Sequence, residues 1–188
     1  MYEEYKLLLK TRLDDYRFYH SLCVADEAKR LAEKYGCDGE RSYLAGLLHD
    51  VTKNSPKEEH LQIFSQFGIM LNDIEKNAAK LWHAMSGAAY VEHFLNIKDD
   101  EIISAIRYHT TAKADMTVLE KIIYLADFTS MDRDYSDVAV IREYVNESLD
   151  KAFIYALQYS ICDLVKNKKC VHLDTIAAYN QAVSNGGK

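Results

Sequence analysis

The sequence predicts an all-α fold of about eight to ten helices. One proline stands among 188 residues, against a usual share of about 5%, and a chain of many tight turns would need more. Apolar residues return at three- and four-residue spacing through most of the length, the period of a helix with one buried face. Helix start and stop signals recur between those stretches, while no alternating stretch bounded by a hairpin turn occurs.

The elements follow in order. Tyr2 to Leu13 sets Tyr5, Leu8, Leu9 and Leu13 on one side. A second helix is predicted from about Arg17 to Tyr35, with Val24, Ala28, Leu31 and Tyr35 inward and Gly36 placed to end it. Asp38 caps a helix that turns Leu44, Leu47, Leu48 and Val51 inward. Ser55-Pro56-Lys57-Glu58 reads as a capping box with proline at the first helical position, leading through Leu61, Phe64 and Phe67 to Gly68. Asn72 to Glu75 repeats the start signal for one segment carrying Ile74, Ala78, Leu81 and Met85. Asp99 starts a helix with Ile102, Ile103 and Ile106. Thr117-Val118-Leu119-Glu120 is a second box, ahead of Leu119, Ile122, Ile123 and Ala126. Two or three helices should follow. The clearest carries Leu149, Phe153, Ala156, Leu157, Ile161 and Leu164, and the last carries Ile176 and Tyr179 and should fray at Asn185 to Lys188.

A chain of this mass buries about 70% of the surface its unfolded form exposes, so a core without staples is expected, in a single domain spanning 1–188. The hydrophobic share of 48% and charged share of 28% are those of an ordinary globular protein. A formal net charge of −6 argues against nucleic acid as a partner, since a duplex-binding face is basic. Cys23, Cys37, Cys162 and Cys170 lack the C-x-x-C spacing of a redox or zinc motif and read as idle thiols in a reducing compartment. No basic leader precedes an apolar run, and no apolar run approaches the ~18 residues of a membrane span, so no membrane partner and a cytoplasmic location are expected.

The chemistry lies in the histidines. His20 continues the apolar stripe of Val24; His49 follows Leu47-Leu48 and precedes Asp50; His83 sits between Leu81-Trp82 and Met85; His109 shares a face with Ile106. Asp127 continues the stripe of Leu119 and Ile123. His60, His93 and His172 have charged neighbours and read as solvent-facing. A lone inward histidine is more often a hydrogen-bonded core residue than a ligand. Here four histidines and two aspartates converge at inward positions, and a buried carboxylate is costly without charge or metal beside it. A metal centre of neutral imidazoles and carboxylates satisfies all of them. Six ligands exceed what one ion takes while leaving room for substrate, so two ions sharing a carboxylate are expected. With a bridging hydroxide such a pair would carry about one positive charge, which suits hydrolysis of an anionic substrate. The ligand set fits iron, manganese or zinc alike.

Five motifs surround these residues: Arg17-Phe18-Tyr19-His20-Ser21-Leu22-Cys23-Val24-Ala25, Ala45-Gly46-Leu47-Leu48-His49-Asp50-Val51-Thr52-Lys53, Trp82-His83-Ala84-Met85-Ser86-Gly87-Ala88, Ile106-Arg107-Tyr108-His109-Thr110-Thr111 and Leu119-Glu120-Lys121-Ile122-Ile123-Tyr124-Leu125-Ala126-Asp127. Their order and spacing, over roughly Arg17 to Arg142, resemble the HD phosphohydrolase superfamily, and in detail its YqeK-like branch of symmetrical bis(5′-nucleosyl)-tetraphosphatases. The resemblance implies an all-α HD-domain fold around a central divalent metal site, often iron. It implies cleavage of diadenosine tetraphosphate to two ADP by a metal-activated hydroxide. By the same carry-over His20, His49, Asp50 and Asp127 would hold one metal, and His83 and His109, with Asp50 as bridge and catalytic carboxylate, the second. Lys53 would place its ammonium on a substrate phosphate, away from the metals. Thr110 and Thr111 would donate to phosphate oxygens, and Arg133 would be a second phosphate clamp.

Two departures from the branch stand where the nucleotide would rest and so bear on substrate preference. Phe128-Thr129-Ser130-Met131-Asp132-Arg133 replaces a glutamate and proline before the arginine, and Ala112 replaces a glycine after the paired threonines. The rival readings are an HD hydrolase of another nucleotide, an HD-type di-iron oxygenase and a non-catalytic metal-binding module. A small nucleotide is the expected partner, and the apolar C-terminal helices leave room for a homodimer.

Overall fold

The computed structural model describes residues 2–186, so part of the expected fraying at Asn185 to Lys188 lies outside the described residues. The described residues form eleven α-helices and no strand: α1 Glu3–Arg12, α2 Asp15–Tyr35, α3 Gly39–Leu48, α4 Lys57–Gln66, α5 Asp73–Asn77, α6 Trp82–His93, α7 Asp100–Tyr108, α8 Val118–Thr129, α9 Val138–Glu147, α10 Leu149–Lys166 and α11 Leu173–Gly186, with a 3₁₀ turn at Ala79–Leu81. No helix of these residues is long and apolar enough to cross a membrane.

The caps are formed by the residues that signalled them, with two exceptions. Asp14 starts α2 by accepting from the Arg17 amide at 2.8 Å, two residues earlier than the apolar stripe alone indicates. Gly36 ends it at φ 71, a backbone that L side chains resist. Asp38 accepts from the amides of Glu40 and Arg41, and Asp99 from those of Glu101 and Ile102. Asn72 and Thr117 close full capping boxes with Glu75 and Glu120. The box expected at Ser55 does not form. Pro56 stands before the first turn of α4, and the Ser55 hydroxyl accepts from Arg12, whose guanidinium also pairs with Glu59.

The second exception creates an additional element. The segment expected to run unbroken from Asn72 through Met85 breaks at Ala78 (φ −124, ψ 63), giving α5, the 3₁₀ turn and α6. The Trp82 indole donates to the Glu75 carbonyl at 2.7 Å, taking an acceptor that a continuous helix would pair with its own backbone. The break redirects α6, and with it His83, toward the centre.

That centre is the bundle of α2, α3, α7 and α8, whose Val24, Leu31, Leu47, Ile106, Leu119 and Ile123 are fully shielded from solvent. α6 packs on α7, while α9, α10 and α11 close the far side. On α10 the stripe is deepest from Leu149 to Leu157; Ile161 and Leu164 are half-buried. Gly46 sets the approach of α3 to α2, since a Cβ there would meet the Ala25 Cα and Val24 carbonyl, each at 3.0 Å. Gly46→Ala would gain at most about 1 kcal/mol of helix propensity, against about 1–3 kcal/mol for overpacking against backbone, which cannot swing aside. Net destabilisation is therefore expected, read as a lower urea midpoint; a midpoint equal to or above that of the parent would contradict the close approach.

Candidate metal centre

Six side chains from five helices meet where these four core helices and α6 converge. His20 projects from the first half of α2. His49 and Asp50 follow the last turn of α3, His83 lies in the first turn of α6, His109 caps the C-terminus of α7, and Asp127 lies near the end of α8. The four imidazoles and Asp50 are at most 4% exposed, and the Asp127 carboxylate is partly open to the cleft. The amphipathic stripes explain this convergence: each residue occupies the core-facing row of its helix or directly follows its end, so packing the rows together packs the polar groups together.

Three overlapping triads bring ligand atoms within 4.8 Å of one another: His20, His49 and Asp50; His49, His109 and Asp127; Asp50, His83 and His109. The rings are held from behind. His49 Nδ1 donates to the Gly46 carbonyl and His109 Nδ1 to the Ile106 carbonyl, both at 2.7 Å, so each turns a bare Nε2 inward. His20 Nδ1 lies 2.8 Å from the Asp132 carboxylate and its Nε2 lies 2.9 Å from Asp127. Such outer partners fix ring orientation and tautomer in metal sites. Asp50 Oδ1 has His83 Nε2 at 3.1 Å, Lys53 Nζ at 3.4 Å and His109 Nε2 at 3.6 Å, and Arg17 lies 3.3 Å from Oδ2. His49 Nε2 and Asp50 Oδ1 are both buried without a hydrogen bond of proper geometry.

Electrostatics keep these groups in ligand form. Burial pushes the His49 imidazole down to about 3 and that of His83 to about 4, so both are neutral at pH 7. Burial alone would raise the Asp50 carboxyl, but the facing His49, His109 and His83 and the Lys53 ammonium hold it well below the usual range. Asp127 is likewise held low against burial by the His20 hydrogen bond and the Arg133 charge. Neutral imidazole and ionised carboxylate are the forms that divalent cations bind. The donor set, with a buried His49 Nε2 that has no hydrogen-bond partner, fits such an ion.

The substrate residues expected from the sequence are placed differently. Lys53 does not point away from the cluster. Its ammonium lies 3.0 Å from His83 Nε2 as well as near Asp50, because this carboxylate draws the nearest cation. Arg133 pairs with the Asp127 carboxylate, donates to the Asp127 carbonyl at 2.6 Å and lies 3.2 Å from His20 Nε2. Thr111 is buried and donates its hydroxyl to the Ala112 carbonyl, so it holds its own turn instead of reaching toward phosphate. The Thr110 hydroxyl is buried and unpartnered. Ala112 adopts φ 55, the left-handed region in which glycine is unstrained, so the departure there carries a backbone penalty of about 1–2 kcal/mol.

Some residues escaped the sequence pattern. Arg17 precedes His20 by one turn of α2, and a helical wheel would have put it beside the cluster. Asp132 lies in a loop, where no periodicity signals an inward side chain. His60 and His172, expected in solvent, are 7% and 5% exposed. His60 Nδ1 meets the Ser86 hydroxyl at 2.7 Å, and Thr52 ties the same hydroxyl to the His83 carbonyl, bracing α6 against the His49-Asp50 turn. His172 lies 3.4 Å from buried Glu75, which Arg107 also pairs. Charged neighbours in sequence did not mean solvent, because a tertiary hydroxyl satisfies His60 and a tertiary carboxylate His172.

A family model for the HD domain matches residues 17–132. The chain is 35% identical over 182 residues to a Bacillus subtilis protein named symmetrical bis(5′-nucleosyl)-tetraphosphatase, covering 97% of each. It is 36% identical over 180 residues to a protein of the same name from Staphylococcus aureus, covering 95% of this chain and 92% of the relative. Among solved structures, a predicted HD superfamily hydrolase involved in NAD metabolism from Clostridium acetobutylicum superposes with a TM-score of 0.95 at 33% identity, over 98% of each chain.

The buried neutral rings predict acid sensitivity. Below the ordinary imidazole value of 6.5, the unfolded chain binds protons that folded His49 and His83 refuse. Stability is therefore lost as pH falls from about 6.5 toward 4. Urea titrations of chelator-treated protein at pH 7, 6 and 5 should show a falling midpoint, whereas a constant midpoint would mean that these rings are not buried in the neutral form.

Proposed function

The chain belongs to the HD-domain family, and from that membership and its buried ligand cluster we propose that it is a metal-dependent hydrolase cleaving diadenosine tetraphosphate symmetrically to two ADP. Its relatives of that name match nearly the whole chain. The observation that carries the proposal is the meeting of four imidazoles and two carboxylates, including a His49 Nε2 with no hydrogen-bond partner, with Lys53, Arg17 and Arg133 at its edge. That ring of cations leans toward a polyphosphate over an oxygenase substrate.

His20, His49, Asp50 and Asp127 would hold one divalent ion, and His83, His109 and the shared Asp50 a second; iron is the favoured metal, with manganese and zinc compatible in ligand type. Such ions lower the pKa of bound water and polarise phosphoryl oxygens. The protein's own part is charge and position. Lys53 and Arg133 now stand on the ligand carboxylates, so they are the cations free to shift onto phosphate when those carboxylates are otherwise neutralised. Arg17, one turn before His20, joins them from the opposite side of Asp50. The Thr110 hydroxyl, next in sequence to His109, is buried and without a hydrogen-bond partner. Water enters at an inner phosphorus of the tetraphosphate bridge, the bond to the bridging oxygen of the departing half breaks, and each half leaves as ADP.

A cytoplasmic location fits the four unpaired thiols. Self-association as a homodimer has its support in Val165 and Leu173, 61% and 69% exposed on the C-terminal helices.

Purified protein incubated with diadenosine tetraphosphate should release only ADP. Activity should vanish with chelator and in Asp50→Ala, which should also lose bound metal by elemental analysis. Lys53→Met should lower kcat/KM by about 10²- to 10³-fold with metal retained. Release of AMP and ATP would refute symmetric cleavage, and inertness of fully metallated protein would refute the substrate.

A further inference from the structure

His20 is held differently from the ligand histidines at helix ends. His49 and His109 follow the last turns of α3 and α7, where backbone carbonyls lack an amide partner within the helix. Each ring donates to one of those free carbonyls. His20 instead lies inside α2, where the carbonyls within its reach accept from the helix's own amides. Its ring has to be fixed by a tertiary partner, and Asp132 Oδ2, 2.8 Å from His20 Nδ1, is that partner. We propose that Asp132, in the loop after α8, is a positioning residue for the ion that His20 would hold. Its carboxylate accepts the Nδ1 proton, so Nε2 stays bare and faces Asp127. Its negative charge also makes this imidazole a stronger donor than a ring backed by a carbonyl.

Three observations support the assignment, which rests on the proposed metal centre and adds what orients one of its ligands. First, the Asp132 side chain is 4% exposed although it belongs to a loop, and its Oδ1 is buried without a hydrogen bond. Stability alone disfavours a buried carboxylate with one oxygen unpaired, so its inward placement answers another requirement. Second, the loop is fastened on both sides of Asp132. The Arg133 amide donates to the Ser130 carbonyl at 3.0 Å. Arg142, on α9, donates to the carbonyls of Thr129 at 3.0 Å, Ser130 at 2.6 Å and Arg133 at 3.2 Å. Met131 turns outward, 76% exposed, while its neighbour Asp132 turns inward. Third, the next residue, Arg133, pairs with Asp127 and lies 3.2 Å from His20 Nε2. Adjoining residues of one loop therefore meet the two nitrogens of the same ring. The departure from the branch pattern in this segment, expected to bear on substrate preference, lies against a candidate metal ligand.

The test reads metal binding and the ring itself, not turnover. Chelator-stripped parent, Asp132→Asn and Met131→Ala are each titrated with zinc in a calorimeter. Asp132→Asn keeps the size of the side chain and removes its charge, and should weaken one zinc-binding step about 10- to 100-fold. Met131→Ala alters the same loop without touching His20 and should stay within about twofold of the parent. In zinc-loaded parent carrying ¹⁵N-histidine, NMR should show His20 protonated at Nδ1 and bound to metal through Nε2, with its Nδ1–H proton far downfield. That proton should move upfield in Asp132→Asn. Unchanged zinc affinity in Asp132→Asn, an equal loss in Met131→Ala, or an unmoved Nδ1–H proton overturns the assignment. So does the opposite tautomer in the parent, a result that needs no variant to fold. A parent that takes up no zinc refutes the metal centre itself. A parent that binds zinc and still splits diadenosine tetraphosphate to ADP leaves the hydrolase reading intact, whatever becomes of Asp132.

Discussion

Asp50 is 1% exposed, and its carboxylate has three imidazole nitrogens and an ammonium within 3.6 Å. A charge so placed is tolerable only where positive or strongly polar groups surround it. The arrangement around it follows from that requirement. Lys53, Arg17 and His83 close on the carboxylate from the rim, while His49 and His109, tied to carbonyls of their own helices, turn bare Nε2 atoms toward the same space, where a bound cation would be shared with it. Asp127 repeats the pattern on a smaller scale, with His20 on one side and Arg133 on the other. Each knot of acceptor atoms has a cation beside it.

The fold holds this polar centre in place by apolar means. α2, α3, α7 and α8 are joined by buried aliphatic side chains on either side of the cluster, and the polar residues ride on the same helical rows. The close approach at Gly46 serves both ends: it packs α3 on α2 and fixes the carbonyl that orients His49. Likewise, the Thr52, Ser86 and His60 hydroxyl–imidazole chain braces α6 without contributing a ligand atom. These outer residues determine how far the ligands can drift, and small drifts matter in a site that must hold geometry.

The overall charge of −6 takes on a local meaning here. Three cations, Arg17, Lys53 and Arg133, face three carboxylates, Asp50, Asp127 and Asp132. The centre is thus balanced within an acidic chain, and every divalent ion bound there shifts it toward positive. Attraction for a short polyphosphate and aversion to a long polyanion are compatible, because salt screens exposed charges beyond about 8–10 Å while a short substrate sits within that distance of the cluster.

Helix periodicity and capping chemistry determine most of the fold, as α2, α3, α7 and α8 illustrate: short-range rules of backbone pairing and side-chain row made the end of α2, the starts of the other three and the buried faces of all four legible. The same rows exposed the six candidate ligands, since a polar residue in an apolar stripe is visible without coordinates. Tertiary structure decided the rest, wherever a long-range partner outbid a local one. Arg12 drew Ser55 away from its box, Trp82 took the Glu75 carbonyl and broke a helix, and Ser86 and Glu75 drew His60 and His172 out of solvent. Asp132 entered the site from a loop with no period, and Lys53 and Arg133 settled on carboxylates that only folding brings near. The distinction is physical: local geometry follows from neighbours in sequence, whereas the partner of a charged group is whichever opposite charge the packed chain places closest.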